Sequence, residues 1–131
     1  MSVLLGANQP SYNAQVEALA SAARTAAPDD VQIDNMSCAG AHIIIVVTAK
    51  TSSPSIVVTV SGKDVSSGNL YTVLTSAAIT ATGTTVLKIF PGAVGDPDLV
   101  ANDFLPKTTI ISVAHGNSNS ITYQIGIIGL R

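Results

Sequence analysis

From Val31 onward the chain alternates apolar and polar residues in short runs, each closed by turn-forming residues. Ile56, Val58 and Val60 lie on one side of such a run, with Val57 and Thr59 on the other. A period of two is the signature of a β-strand with one buried face. Residues 84–90 repeat it, setting Val86, Lys88 and Phe90 against Thr85, Leu87 and Ile89. Leu70, Thr72 and Leu74 alternate with Tyr71 and Val73, and 31–34 alternates weakly. Residues 120–128 place Ile121, Tyr123, Ile125 and Ile127 on one face. Residues 41–49 differ, being β-branched and apolar on both faces, which predicts a central strand covered on both sides.

Turn signals punctuate these runs at 51–54, 62–69 and 116–119. The strand predicted over 108–115, the Gly-Asn-Ser-Asn turn and the run to Ile128 read together as the clearest hairpin. Residues 76–82 are small and polar, fitting a short strand or a crossing loop. Residues 91–106 form the longest irregular stretch, and loops of this length are often functional. Seven or so strands at this spacing predict an all-β, antiparallel β-sandwich, with jelly-roll and immunoglobulin-like (Ig-like) topologies both compatible.

The first thirty residues read differently. Residues 1–10 hold Gly6, Asn8 and Pro10 and suggest an extended arm. Residues 12–24 are Ala-rich, and Tyr12, Val16, Leu19 and Ala23 fall at i, i+4, i+7 and i+11, which predicts a short helix. Ser11 or Asn13 is placed to cap it, and the residues leading to Pro28 end it. The expected organisation is an arm and helix over 1–30 and a β-sandwich domain over 31–131.

Composition narrows the function. Charged residues are 11% of the 131, against about 25% in a typical soluble chain, while hydrophobic residues are 47%. Few charges suit a surface that a partner buries. The longest apolar run, 43–47, is far short of the roughly 20 residues of a membrane-spanning helix, so no membrane role is expected. Net charge is −2 and the six basic residues are scattered, which argues against nucleic-acid binding. Residues 1–6 lack the basic start of a secretion signal, so cytoplasmic synthesis is expected.

Candidate chemistry is sparse. The one cysteine, Cys38, has uncharged neighbours and reads as a small buried hydrophobe. His42 and His115 sit at strand ends without metal-ligand spacing. Asp96, Asp98 and Asp103 share one loop but lack the glutamate of a calcium-binding loop, so a solvated acidic loop is the expectation. The chain holds no GxSxG, GxGxxG or P-loop pattern. No catalytic, cofactor or metal residue is assigned, and the expectation is a protein that is not an enzyme.

The segments "GKDVSSGNLYTVLTSAAITATGTTVLKIFPG" and "LPKTTIISVAHGNSNSITYQIGI" resemble small structural proteins of tailed bacteriophages, of the capsid decoration (cement) type. The similarity covers roughly 41–129 and rests on scaffold features. It implies a sandwich on the virion exterior, as a homotrimer bound to the major capsid protein and stabilising contacts between its subunits. An alternative is a tail, neck or fibre component. On the cement reading, Val3, Leu4 and Leu5 of the arm, with Tyr12, Val16 and Leu19 of the helix, are the candidate shell contacts.

Overall fold

A computed structural model describes residues 2–5 and 14–131. These form ten strands in two five-stranded sheets. The first sheet has the order β1 (Ser2–Leu5), β3 (Val31–Asn35), β9 (Thr108–His115), β5 (Ile56–Lys63), β6 (Leu70–Thr75). The second has the order β2 (Ala14–Arg24), β10 (Ile121–Leu130), β4 (Gly40–Lys50), β7 (Gly83–Ile89), β8 (Val100–Ala101). The all-β, two-sheet architecture is as expected. The sheets are mixed rather than purely antiparallel, because β1 joins β3 and β8 joins β7 in parallel.

One core fills the space between the sheets. Val58, Val60, Ile111 and Val113 face it from the first sheet, and Ile43, Ile45, Leu87, Ile121 and Ile125 from the second. The alternation that predicted these strands is the alternation that buries them: β10 reads buried at every second residue from Ile121 to Gly129. Burying each large aliphatic side chain contributes about 1.5–3 kcal/mol, the main force holding the sheets together.

The helix predicted over 12–24 is not formed among the described residues: Ala14–Arg24 is an edge strand paired antiparallel with β10. Its register slips between Tyr123 and Ile125 and again between Ile125 and Gly126, so β2 carries extra residues as bulges. The extra residue at Ala18 lets Val16, the wholly buried Ala18 and Leu19 all pack against the core, which puts Val16 and Leu19, three apart, on the same side. That spacing imitates a helical face, and alanine's helix propensity strengthens the imitation. The cap proposed at Ser11 or Asn13 lies outside the described residues.

The hairpin read over Thr108–Ile128 is also corrected. Strands β9 and β10 lie in different sheets, so 116–120 is an arch across the core. Both strands present an apolar face, and facing sheets bury both at once. The arch rests on the β4–β5 connection, where Asn117 Nδ2 donates to Ser53 O at 2.8 Å and Gly116 N donates to Ser55 O at 2.8 Å. Among the described strands, the one consecutive pair that forms an antiparallel hairpin is β5–β6. Its loop is held by Asp64, whose carboxylate accepts from Ser67 N at 3.0 Å and Ser67 Oγ at 2.6 Å. These bonds lower the Asp64 pKa.

The opposite end of the sandwich is tied by Asn35, which is buried. Its Nδ2 donates to Cys38 O at 2.7 Å and Leu105 O at 3.1 Å, and its Oδ1 accepts from Cys38 N at 2.8 Å. One amide thereby joins the β3–β4 turn to the segment before β9, and no buried side-chain polar atom among the described residues lacks a partner. Cys38 is buried beside it, and desolvation raises its thiol pKa.

Candidate interaction face

Strand β4 is central, as its composition predicts, but only its inner face is covered by protein. Ala41, Ile43, Ile45 and Val47 are buried, whereas Ile44 and Val46 point outward and stay half-buried. Registers extend this outer surface across the sheet. One row runs Glu17, Gly126, Ile44, Val86 from β2 to β7, and the next runs Gln15, Ile128, His42, Lys88. Val46 lies between Gln124 and Thr84 in a third row.

The centre of the face is thus a continuous aliphatic strip of Ile44, Val46, Val86 and Ile128, broadened at one end by Phe90 and Leu130. Shallow grooves run beside it, one between β2 and β10 lined by Val16, Ile44 and Ile128, the other lined by His42, Phe90 and Leu130. Gly40 makes room for Phe90, since a Cβ there would come within 2.7 Å of the Phe90 Cβ. The outer face of the first sheet is more polar along its centre, where Thr108 and Ser112 of β9 flank Ile110, beside Gln32, Asp34 and Thr59. A contiguous apolar surface rimmed by polar groups is what an interaction site looks like. Glu17 on the edge strand β2 and Lys88 on β7, which β8 flanks, are exposed.

The N-terminal contact candidates fall in several environments. Leu5 is wholly buried in the chain's own core, Val3 is half-buried against it, and Leu4 is 54% exposed. Val16 and Leu19 are half-buried on β2 and line the groove beside β10, while Tyr12 lies outside the described residues. The outward apolar residues of β4, β7 and β10 are not among the contact candidates read from the sequence. Their signal was present in the double-faced apolar run at 41–49, which the sequence reading assigned to burial under a covering layer.

A second cluster gathers Arg24, Tyr123 and His115. The Arg24 guanidinium lies 4.6 Å from the Tyr123 ring centroid. It donates to Ala20 O at 2.7 Å, Tyr123 O at 2.8 Å and Ala22 O at 3.2 Å. It therefore satisfies carbonyls near the irregular β2–β10 ladder. The Tyr123 hydroxyl and His115 Nε2 share a hydrogen bond of 3.0 Å. Burial lowers the His115 pKa, helped by the Arg24 charge, and burial raises that of Tyr123. The cluster's groups are committed to one another and to backbone, an arrangement that braces the edge. His42 is exposed at a distance along the sheet, and no three of His, Cys, Asp or Glu converge on a metal-sized site among the described residues.

Fold and face together define a two-sheet β protein with an apolar outer sheet surface. No protein-family model, no curated protein and no solved structure matches the chain.

Proposed function

We propose that the chain is a structural binding protein of the bacteriophage capsid decoration type, joining the outside of an assembled head and reinforcing contacts between major capsid protein subunits. The observation that carries the reading is the apolar outer face built by β4, β7 and β10, on a chain with few charges. The resemblance of 41–129 to small phage structural proteins supports it. Such a protein needs no cofactor and no catalytic group. Several copies engaged together multiply modest contacts into firm attachment, and binding the assembled state alone stabilises that state by mass action. The exposed Leu4 on β1 and the half-buried Val16 and Leu19 on β2 are contacts to the shell on this reading.

Cryo-electron reconstruction of virions carrying this chain tests the proposal. Density at regular positions over the head is expected. Density confined to the tail, neck or fibres transfers the chain to that part of the virion, and its absence from the particle ends the structural reading.

A further inference from the structure

We propose that one end of the sandwich is a docking end, whose turns carry apolar anchors that seat the chain on the shell while the opposite end points to solvent. The inference rests on the capsid reading above and extends the contact from the outer face of the second sheet around the adjoining end.

The two ends differ in what their turns expose. The strand registers gather the β3–β4, β5–β6 and β8–β9 connections, the start of the β7–β8 connection and the end of β10 at one end. There Met36, Val65, Val94, Phe104 and Leu130 are exposed, with Leu70 beside them at the start of β6. The connections at the other end are residues 25–30, 51–55, 76–82 and 116–120. They are built of small and polar residues apart from Ile79, which packs against the core. A lone exposed apolar side chain is ordinary. Six drawn from separate segments to one end, with none exposed on the turns of the other among the described residues, form a sorted surface of the kind that marks a contact site.

The anchors are held in place before binding. The Asn35 amide ties the turn that carries Met36 to Leu105, next to Phe104. Gly92 N donates to Asn102 Oδ1 at 2.8 Å, fixing the Val94 turn to the same segment, and the Asp64–Ser67 bonds close the turn that carries Val65. Preorganisation of this kind lowers the ordering cost of association. Charge points to the occupant. Lys63, Lys107 and Arg131 at this end are interspersed with Asp64 and Asp103. An anionic lipid surface selects clusters of about four to eight Lys or Arg. A nearly balanced set of charges around apolar anchors fits a protein surface.

Area joins the end to the outer face. Five strands wide at about 4.8 Å spacing and two sheets thick, the end measures roughly 20 Å each way, a footprint on the order of 400 Å². A stable contact takes about 800 Å² from each partner, so the end supplies about half. The apolar strip of the second sheet continues from it without a break, through the groove lined by His42, Phe90 and Leu130. A surface that turns a corner in this way fits the cleft between neighbouring subunits, which is where a protein that reinforces their contact has to sit.

The test uses the full chain and heads assembled without it. Val65→Asp with Phe104→Asp alters two exposed tips, so the urea midpoint is expected to stay at the wild-type value while head binding weakens roughly 100-fold, about tenfold for each anchor. Ser118→Lys with Thr80→Lys at the other end is expected to leave binding unchanged. A second readout follows the chain once bound. On decorated heads, Ser118→Cys is expected to react with a maleimide reagent and Val65→Cys to be shielded, read from the mass of this chain. Head binding that the first pair leaves intact, loss of binding in the second pair, or a Val65→Cys thiol that reacts freely on heads overturns this inference and keeps the capsid reading. A wild-type chain that ignores heads ends both, and one that instead binds vesicles of anionic lipid overturns the choice of a protein partner.

Discussion

Replacing Asn35 by alanine tests the polar tie at one end of the core. The native side chain makes three hydrogen bonds of 2.7, 3.1 and 2.8 Å to Cys38 O, Leu105 O and Cys38 N. Alanine removes all three, and those backbone groups lose their partner in a buried turn. At about 1 kcal/mol per bond, the expected loss is about 3 kcal/mol. That is a large share of the roughly 5–15 kcal/mol that holds a domain folded. With a urea dependence of about 1.5 kcal/mol per molar, the unfolding midpoint falls by about 2 M. Asn35→Asp sharpens the test because it keeps the shape. Its carboxylate still accepts from Cys38 N but offers no proton to the two carbonyls. At neutral pH it is expected to cost at least as much as alanine. Acidification recovers part of the loss, since a protonated carboxyl donates again. An alanine variant losing less than about 1 kcal/mol, or an aspartate variant as stable as the native chain, refutes the claim that these bonds hold the turn.

Three further outcomes follow from the same geometry. Because His115 has a lowered pKa when folded, the unfolded chain binds more protons between that value and the ordinary 6.5. The His115 contribution therefore makes stability fall as pH drops through that window. Urea midpoints measured across it are expected to show the slope, and His115→Gln to reduce it. Arg24→Met keeps an aliphatic stem but loses the bonds to Ala20, Ala22 and Tyr123, with an expected loss of about 1–3 kcal/mol in the same assay. The Cys38 thiol, buried and raised in pKa, is expected to react with a thiol reagent only as the protein opens. Native labelling as fast as that in denaturant would contradict the burial.

Much of the fold is legible where the pattern is local. Inward residues of β10, of Ile56–Val60 in β5 and of Leu87–Ile89 in β7 are readable because alternation there maps directly onto burial. Strand β2 escapes the same reading because its bulges interrupt the period of two at alanines that favour helix. The 116–120 connection escapes because a turn between two apolar runs looks the same locally whether its strands pair side by side or face each other. For the interaction face, Ile44 and Val46 declare a second apolar surface in sequence. Whether a neighbouring element covers it depends on the arrangement of the whole chain.

The position of β10 has a consequence for how the protein is made. This strand lies between β2 and β4, yet every other described strand precedes it in the chain. Until it emerges from the ribosome, β2 has no ladder partner and β4 has one open side. Completion of the second sheet, and of any surface spread across it, thereby waits until β10 has been made. Pairings between strands far apart in sequence also fold slowly. The nascent chain must carry unpaired edges through that interval, and such edges are where misdirected pairing begins. Folding of the second sheet is therefore timed by the arrival of one strand.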